Sequence, residues 1–476
     1  MHYESCITDI TIMKIKSILL SALACASAAT MSAAEAPRYI FYFIGDGMGM
    51  GHVMSAECYN RTVRGNNERL LMMQFPVASA ATTFSASSPI TDSAAAGTAL
   101  ATGHKTQNGM IGMNPDTVAV SSMAVSLDKL GYGIGVITTG APDDATPGAF
   151  FAHVPNRSMY YEIGRDAANS SVSFLGGSNL RGLRDREGNP TDLAEIIEKS
   201  GMTIVRGTEA LSSVKTDRVL LLNTDSLLVN DLGYAIDSVP GIVTLPAMTQ
   251  ACLDHLEKQS PDKFFMMIED GSIDHAAHSN DGGAVVKEII SFQDAISIAY
   301  DFYLAHPDET LIVITADHDT GGMALGNQHV PYDAHLKYLD YQHISKDRFS
   351  DFCKNIQRQR RIFTWDDMRE VLEAKMGFWK GVPVTERQTE ELKETFDRCF
   401  VNHESGEQKS MYASYNDFVV KVFSIMDSFT GIGWTATHHT GGMVPVYAVG
   451  VDASRFNGLN DNTQIPIKIM EIVTGR

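Results

Sequence analysis

Cysteine is scarce in this sequence, with six residues in a chain of 476. Four of them lie outside the N-terminal region, at positions Cys58, Cys252, Cys353 and Cys399, and no two form a CxxC pair. Zinc sites built from thiolates need closely spaced cysteines, so no zinc–thiolate site is expected. Cys353 and Cys399 are candidates for a disulfide bond in an exported protein; the alternative is that all four are buried free thiols.

Positively charged residues are also in short supply. The chain has 38 Lys and Arg residues against 57 Asp and Glu residues, which gives a formal net charge of -19. Such a chain lacks the basic surface that non-specific nucleic-acid binding requires. The charge does not exclude a small phosphorylated substrate, because bound metal ions can supply local positive charge.

The N-terminal apolar run is too short to span a bilayer, which takes about 20 apolar residues. From Met13 the sequence reads MKIKSILLSALACASAATMSAAEAPRY, with two lysines, a short apolar run and then small residues. This order is typical of a signal peptide. We predict that residues 1–34 are removed, that Met13 is the true start, and that the protein is exported to the periplasm or secreted. A lipid anchor at Cys25 is a disfavoured alternative, because Leu23 lies one position off the usual spacing.

Short apolar runs alternate with helical patterns along most of the chain. The runs that predict buried strands are RYIFYFIGDG, GIGVITTGAPDD, RVLLLNTD, FFMMIEDG, TLIVITADHD and VPVYAVGV. This alternation predicts an α/β doubly wound fold, with a mostly parallel sheet and helices on both faces. Ligands of such folds bind at the carboxyl ends of the strands, and most of these runs end in acidic or glycine residues.

The sequence changes character between about residues 325 and 430. This segment is rich in charge and partly helical, as in TERQTEELKETFDRCF, and it precedes the last predicted strand. We predict a main α/β core formed by residues 35–324 and 431–476. Residues 325–430 would be a large, partly helical insertion that forms a cap, a crown or an oligomer contact.

The stretch FFMMIEDGSIDHAAH, residues 264–278, carries unusually many metal-binding groups. Three carboxylates and two imidazoles follow a buried strand; they are Glu269, Asp270, Asp274, His275 and His278. Clustered carboxylates repel one another and resist leaving water, so a positive charge should lie among them. If the chain turns helical after Ile273, residues 274 and 278 share one helix face.

Two earlier segments also follow predicted strands or begin predicted helices. Asp46 lies in FIGDGMGMGH, whose glycines do not fit the dinucleotide fingerprint, because Met50 and His52 occupy the third glycine positions. Ser93, in TDSAAAGTALATG, lies at a predicted helix N-terminus. It is either an ordinary helix-capping serine or a nucleophile beside a phosphate-binding helix end, which would need a base or a metal to activate it.

Three further groups complete the set of candidates. DDATPGAFFAHVPNR contains Asp144, Thr146 and Arg157, and the arginine could clamp a tetrahedral anion. TADHDTGG and the distant HHTGG contain Asp317, His318 and His439. No general base is obvious for Ser93. A zinc ion would neutralise the carboxylates and lower the pKa of a bound oxygen.

Together these segments resemble the alkaline phosphatase family. The motifs that carry the resemblance are IGDGMG, TDSAAAGTA, DATP with AHVPNR, IEDGSIDHAAH, TADH and HTG, in family order from about residue 39 to residue 451. The resemblance implies hydrolysis of phosphate monoesters to an alcohol and inorganic phosphate through a phosphoserine. It also implies two zinc ions and one magnesium ion, the last replaceable by another divalent metal. We also predict a homodimer.

The resemblance assigns roles to individual positions. Ser93 matches the nucleophile, which also contacts zinc, and Arg157 matches the phosphate-binding arginine. The ligands of one zinc ion would be Asp274, His278 and His439. Those of the second zinc ion, next to the nucleophile, would be Asp46, Asp317 and His318. The magnesium site would take Asp46, Thr146 and Glu269, with Asp144 holding its water molecules.

Two positions depart from the family pattern, and three alternatives remain. His275 stands where the bacterial type often has lysine, and Asp270 stands where glycine is usual, so the identity of the third metal is open.

A phosphodiesterase or phosphonate hydrolase of the same superfamily would lack the Arg157 clamp and would more often use threonine as nucleophile. A sulfatase would need a C/S-x-P-x-R motif, which is not found. An inactive exported metal- or phosphate-binding protein would have lost a nucleophile or ligand, and none is lost.

Overall fold

A computed structural model describes residues 36–214, 216–224, 232–359 and 363–475. Its main element is a sheet of ten strands. In chain order these are β1 (Tyr39–Gly45), β2 (Val77–Thr82), β3 (Gly133–Thr138), β4 (Phe174–Gly177), β5 (Met202–Arg206), β6 (Arg218–Leu222), β7 (Phe264–Asp270), β8 (Thr310–Thr315), β9 (Val444–Gly450) and β10 (Leu459–Asp461).

The strands lie across the sheet in the order β10-β2-β9-β8-β1-β7-β3-β4-β6-β5. Neighbouring strands are parallel, except that β9 runs antiparallel to both β2 and β8. The central strands β1, β7 and β8 are buried along their whole length, as expected for strands covered on both faces. The predicted α/β fold with a mostly parallel sheet is confirmed.

Helices connect and cover these strands. In chain order they are α1 (Met50–Thr62), α2 (Ser93–Thr102), α3 (Met123–Lys129), α4 (Ala145–Gly148), α5 (Tyr160–Asn169), α6 (Leu193–Lys199), α7 (Leu245–Gln259), α8 (Ser272–His278), α9 (Gly282–Ala305), α10 (Lys346–Gln359), α11 (Trp365–Met376), α12 (Glu386–Phe396), α13 (Asp417–Thr430) and α14 (Gln464–Thr474). The long helix α9 presents buried residues such as Val285, Ile289 and Phe292 to the core.

The register of the central strands brings several candidate residues to one edge of the sheet. Ile44 in β1 pairs with Glu269 in β7 and with Thr315 in β8. Asp46 and Asp317 therefore leave the sheet side by side, two residues beyond Ile44 and Thr315. Since these strands are parallel, their carboxyl ends form a common surface, and this surface holds the candidate site.

Residues 325–430 contain α10 to α13 and a small antiparallel hairpin, Glu407–Lys409 with Ser414–Asn416. Their apolar side chains, including Phe349, Met368 and Phe418, belong to the same continuous core cluster as the sheet. The segment is thus packed into the main body of the protein. Its role as a cap, crown or oligomer contact stays a prediction.

Cys353 and Cys399 are free thiols in the structure, and both are fully buried. Burial raises the pKa of the Cys353 thiol, so this thiol is protonated at neutral pH. Cys252 is buried as well, whereas Cys58 is partly exposed. The candidate disulfide bond is therefore not formed, and the alternative of buried free thiols holds for three of the four cysteines.

The N-terminal predictions concern a part of the chain outside the described residues. The predicted signal peptide, with Met13 and Cys25, lies there, so its cleavage and the export of the protein stay predictions. Within the described ranges, no helix has both the length and the apolar character needed to span a bilayer.

Candidate metal and phosphate site

The first cluster of candidate metal ligands consists of Asp274, His278 and His439. Helix α8 begins at Ser272, so residues 274 and 278 lie one turn apart on the same face. Nε2 of His278 lies 3.4 Å from Oδ2 of Asp274 and 3.1 Å from Nε2 of His439. Residues from distant parts of the sequence thus converge around one point.

The second cluster consists of Asp46, Asp317 and His318. Nε2 of His318 lies 3.1 Å from Oδ2 of Asp317 and 3.5 Å from Oδ1 of Asp46. The two clusters are adjacent, because the rings of His318 and His439 stack with their centroids 3.6 Å apart. This arrangement has the donor types of a site for two neighbouring metal ions.

Hydrogen bonds on the far side of each imidazole turn its Nε2 atom towards the clusters. Nδ1 of His278 lies 2.7 Å from the carbonyl oxygen of Thr437, and Nδ1 of His439 lies 2.9 Å from that of Thr91. A carbonyl oxygen only accepts, so each Nδ1 carries the proton and each Nε2 keeps its lone pair. Such bonds are the usual support of metal-binding histidines.

The hydroxyl of Thr320 orients the imidazole of His318 by a hydrogen bond with its Nδ1 atom. This hydroxyl donates to Oδ1 of Asp274 at 2.5 Å, so its oxygen accepts from Nδ1 of His318 at 3.2 Å. Nε2 of His318 is thereby turned towards the carboxylates of Asp317 and Asp46. Thr320 was not among the predicted site residues, although its place in TADHDTGG, two residues after His318, was a signal for it.

The electrostatics of both clusters indicate a need for positive charge. Burial, and then the charge of Asp317, raise the pKa of Asp46 well above its usual value. Burial also opposes ionisation of Asp274, but His278 and His439 hold the pKa of this carboxyl below its usual value. Within the described residues, Oδ1 of Asp46, Oδ2 of Asp317 and Oγ1 of Thr146 are buried without a hydrogen-bond partner. Buried oxygens without a partner are costly, and a bound cation would satisfy them.

A third group of oxygen ligands lies next to the second cluster. Glu269 and Thr146 line the same small cavity as Asp46, Asp144 and His275. Burial raises the pKa of Glu269 to about 8, as expected for a carboxyl among other carboxylates without a cation. The chemistry of Glu269, Thr146 and Asp46 is that of a hard-cation site.

Ser93 is the first residue of α2, and the residue that caps this helix is Asp92, whose side chain accepts from the amide of Ala95 at 3.0 Å. The alternative of an ordinary capping serine is therefore wrong. Oγ of Ser93 lies 3.2 Å from Nε2 of His318. The serine thus lies at the second cluster, near the N-terminus of a helix of ten residues, where positive potential favours a phosphate group.

Arg157 enters the same cavity between two carboxylates. Its Nη1 lies 3.5 Å from Oδ2 of Asp92, and its Nη2 lies 3.3 Å from Oδ1 of Asp144. A second arginine, Arg181, holds the other oxygen of Asp144 at 3.1 Å. Arg181 was not among the predicted site residues, because nothing in its local sequence distinguishes it from a surface arginine.

The two departures from the family pattern have different surroundings. Oδ1 of Asp270 accepts from Oγ1 of Thr139 and from the amide of Ser272, both at 3.1 Å, so Asp270 supports the start of α8. His275 is nearly buried and lines the cavity. Its ring packs against Tyr412, with centroids 4.0 Å apart. Tyr412 also lines the cavity and was not among the predicted site residues.

Comparison with known proteins gives one consistent result. A model of the alkaline phosphatase family matches residues 38–474. Alkaline phosphatase 4 of Bacillus subtilis (strain 168) is 30% identical over 462 residues, which cover 92% of this chain and 89% of the relative.

Solved structures agree with this match. The cold-active alkaline phosphatase of a psychrophilic Shewanella sp. has a TM-score of 0.75 and 27% sequence identity, over 91% of this chain and 99% of that chain. A variant of the alkaline phosphatase of the Antarctic bacterium TAB5, with magnesium bound in its M3 site, shares the fold with a TM-score of 0.63 and 21% identity, over 93% of this chain and 99% of that chain. The chain therefore belongs to the alkaline phosphatase family.

Proposed function

We propose that this phosphomonoesterase acts through a phosphoserine on Ser93, with zinc at the two clusters and magnesium at the neighbouring oxygen site. The observation that carries the proposal is the location of Ser93 Oγ. It lies 3.2 Å from His318 Nε2, in a cavity that Arg157 and Glu269 also line. A nucleophile, metal ligands and an anion clamp within one cavity are the components that phosphoryl transfer needs.

The residues of both clusters fit zinc. Each cluster offers carboxylate oxygens and at least one imidazole nitrogen, which are common zinc ligands. Buried oxygens of Asp46 and Asp317 without a hydrogen-bond partner support bound cations there. When bound, zinc would supply Lewis acidity that lowers the pKa of a coordinated oxygen and stabilises charge in the transition state.

The protein's own residues would then orient the phosphoryl group and exchange its bonds. Arg157, held by Asp92 and Asp144, would bind two phosphoryl oxygens through its planar guanidinium group. Oγ of Ser93 would form a bond to phosphorus while the bond to the ester oxygen breaks, and the alcohol would leave with a proton. Water would then attack the phosphoserine, releasing inorganic phosphate and restoring the serine hydroxyl.

Magnesium suits the third group of ligands. Asp46, Thr146 and Glu269 offer only oxygen atoms, which magnesium prefers. Asp144 lies in the same cavity and would hold water molecules of that ion. The TAB5 variant carries magnesium in its M3 site. His275, a nitrogen donor in the lining of this cavity, would shift the preference towards zinc or another divalent metal.

A comparison of three assays tests this function. Turnover of p-nitrophenyl phosphate should be fast, turnover of bis-p-nitrophenyl phosphate slow, and a chelator should abolish both. A phosphodiesterase would prefer the diester. An inactive metal- or phosphate-binding protein would turn over neither substrate but would retain phosphate in equilibrium dialysis.

Two broader predictions accompany the proposed chemistry. We predict that the protein is exported and that it forms a homodimer. Cell fractionation with mass determination of the mature N-terminus tests the first prediction. Light scattering on the purified protein tests the second.

A further inference from the structure

A hairpin from the charge-rich segment reaches the first metal cluster. Its strands, Glu407–Lys409 and Ser414–Asn416, pair in register from Glu407↔Asn416 to Lys409↔Ser414. The amide of Ser410 donates to the carbonyl oxygen of Ala413 at 2.8 Å and closes the turn. Tyr412 lies at this tip, more than 130 residues along the chain from Asp274.

The side chain of Tyr412 contacts three polar residues of α8, which are Asp274, His275 and His278. Its hydroxyl donates to Oδ2 of Asp274 at 3.3 Å. Its ring lies 4.0 Å from that of His275 and 5.4 Å from that of His278, centroid to centroid. One side chain thus restrains a carboxylate through a hydrogen bond and an imidazole through ring packing.

The hairpin is anchored to the same helix that Tyr412 contacts. Tyr415 is 1% exposed, and its hydroxyl lies 2.6 Å from Oγ of Ser279, the residue after His278. It also donates to Asp347 in α10, and its ring receives the ammonium group of Lys346 at 4.7 Å. The position of the tip relative to α8 is therefore fixed by bonds made a few residues away.

Thr320 and Tyr412 divide the two oxygens of Asp274 between them. Thr320 donates to Oδ1 at 2.5 Å, and Tyr412 donates to Oδ2. A carboxylate with one donor on each oxygen has a fixed plane, while lone pairs on both oxygens remain for a cation. Outer hydrogen bonds of this kind typically change metal affinity by about 10–100-fold.

We propose that Tyr412 is a positioning residue, which orients the carboxylate of Asp274 through its hydroxyl and the imidazole of His275 through its ring. This inference rests on the proposed zinc site of Asp274, His278 and His439. It gives the charge-rich segment a direct part in the active site, through one side chain at the tip of its hairpin.

Zinc affinity of the purified full chain tests the proposal. Tyr412→Phe keeps the ring and removes the hydroxyl, so one of two zinc ions should bind about 10-fold more weakly or worse, as measured by competition with a chromophoric chelator. Tyr412→Phe should also turn over substrate more slowly at limiting zinc, and excess zinc should restore much of this turnover. Tyr412→Leu also removes the ring contact with His275, and it should further change the metal content of the third site.

Tyr59→Phe is a matched control. It also removes a hydroxyl that donates to a carboxylate, that of Asp340 at 2.9 Å, but it lies in α1, away from the cavity. Its zinc affinity should equal that of the wild type. Circular dichroism in excess zinc checks that every variant is folded.

The outcomes separate this proposal from the proposed function. If the wild type binds two zinc ions and Tyr412→Phe binds both equally well, the role of Tyr412 is overturned and the function stands. If the wild type binds no zinc in the competition assay, the proposed zinc sites are wrong, and the role of Tyr412, which depends on them, is wrong as well. A loss in Tyr412→Phe that Tyr59→Phe does not share supports the proposal.

Discussion

At the scale of single residues, ion pairs between arginines and carboxylates hold the side chains of the candidate site in position. Burial opposes ionisation of Asp144, but Arg181 and Arg157 outweigh it and lower the pKa of Asp144 to about 2. Asp144 and Asp92 in turn hold the guanidinium group of Arg157 from two sides. A side chain fixed in this way can bind a phosphoryl group without losing much further conformational entropy.

Replacement of Arg157 by alanine should reduce the turnover of monoesters more than the turnover of diesters. A monoester has a second non-bridging charge for the guanidinium fork, and a diester does not. Arg157→Ala should therefore lower kcat/KM for p-nitrophenyl phosphate by about 100–1,000-fold, with a much smaller loss for its diester. Arg184→Ala removes an exposed arginine that bonds to Gly188 and should leave both rates unchanged. Equal losses on both substrates in Arg157→Ala would rule out the proposed clamp.

Replacement of His275 by lysine should change the choice of the third metal. The imidazole of His275, which lines the cavity, offers a nitrogen ligand, whereas a lysine ammonium repels a cation and instead binds its water molecules or the phosphate. We expect the magnesium dependence and the pH optimum of His275→Lys to differ from those of the wild type. Metal analysis after dialysis against magnesium measures the first, and pH–rate profiles the second. Indistinguishable profiles and metal contents would leave His275 outside the mechanism.

Residues next to distinctive motifs could be predicted from the sequence, and others could not. Asp274 and His278 follow a buried strand and are spaced for one helix face, so local chemistry pointed to them. Tyr412 reaches the cavity, and Arg181 reaches Asp144, only through tertiary packing. Arg181 comes from a short turn and Tyr412 from a hairpin. Neither has a neighbour in the sequence that suggests metal or phosphate binding.

At the scale of elements, the turn after β1 is where backbone geometry limits the site most directly. Gly47 has a φ of 69°, and its amide donates to Oδ1 of Asp317 at 3.0 Å. A Cβ atom at this position would lie 2.9 Å from both Oδ1 of Asp274 and Oγ1 of Thr320. This contact is too short, so the turn must carry a glycine for the two clusters to approach each other.

Gly47→Ala should therefore weaken metal binding more than it weakens the fold. The added methyl group would push Asp274 from its position, and zinc affinity should fall by about 10–100-fold. Gly65→Ala is the matched control, because Gly65 has a φ of 66° with no atom within 4 Å of the added Cβ. Both variants carry about 1 kcal/mol of backbone strain, so only the contact differs. Equal zinc affinities in the two variants would show that the close approach is unimportant.

Elements were predicted best where the sequence has an unbroken apolar run. The apolar runs that became β1, β7 and β8 indicated a buried parallel sheet, because polar residues do not alternate within them. The antiparallel direction of β9 could not be predicted, since an apolar run does not indicate whether the strand is parallel or antiparallel to its neighbours. The capping residue of α2 was also missed, because Asp92 and Ser93 are both favourable caps and only the structure distinguishes them.

At the scale of the whole molecule, the fold concentrates buried negative charge at one edge of the sheet. Asp46, Asp274 and Asp317 are each at most 7% exposed, in a chain whose net charge is already -19. Like charges in low dielectric repel strongly. Bound cations at this edge should therefore contribute to the stability of the folded chain as well as to its chemistry.

Removal of metal should lower the melting temperature. A ligand that binds only the folded state at a hundredfold excess over its Kd contributes about 2.7 kcal/mol, so a chelator should lower the midpoint of thermal unfolding by several degrees. Added zinc and magnesium should restore it. In Asp274→Ala the shift caused by the chelator should be smaller, because one cluster has lost a ligand. A melting temperature that the chelator does not change would contradict structural metal binding.

The most direct test of the proposed chemistry is to trap the phosphoryl group on the enzyme. The purified protein is mixed with a labelled phosphate monoester, quenched at low pH and digested, and the labelled peptide is sequenced. We predict stoichiometric label on Ser93, and none in Ser93→Ala, which should keep its fold and its metals. Label on Thr91, or no covalent label during rapid turnover, would contradict the proposed mechanism.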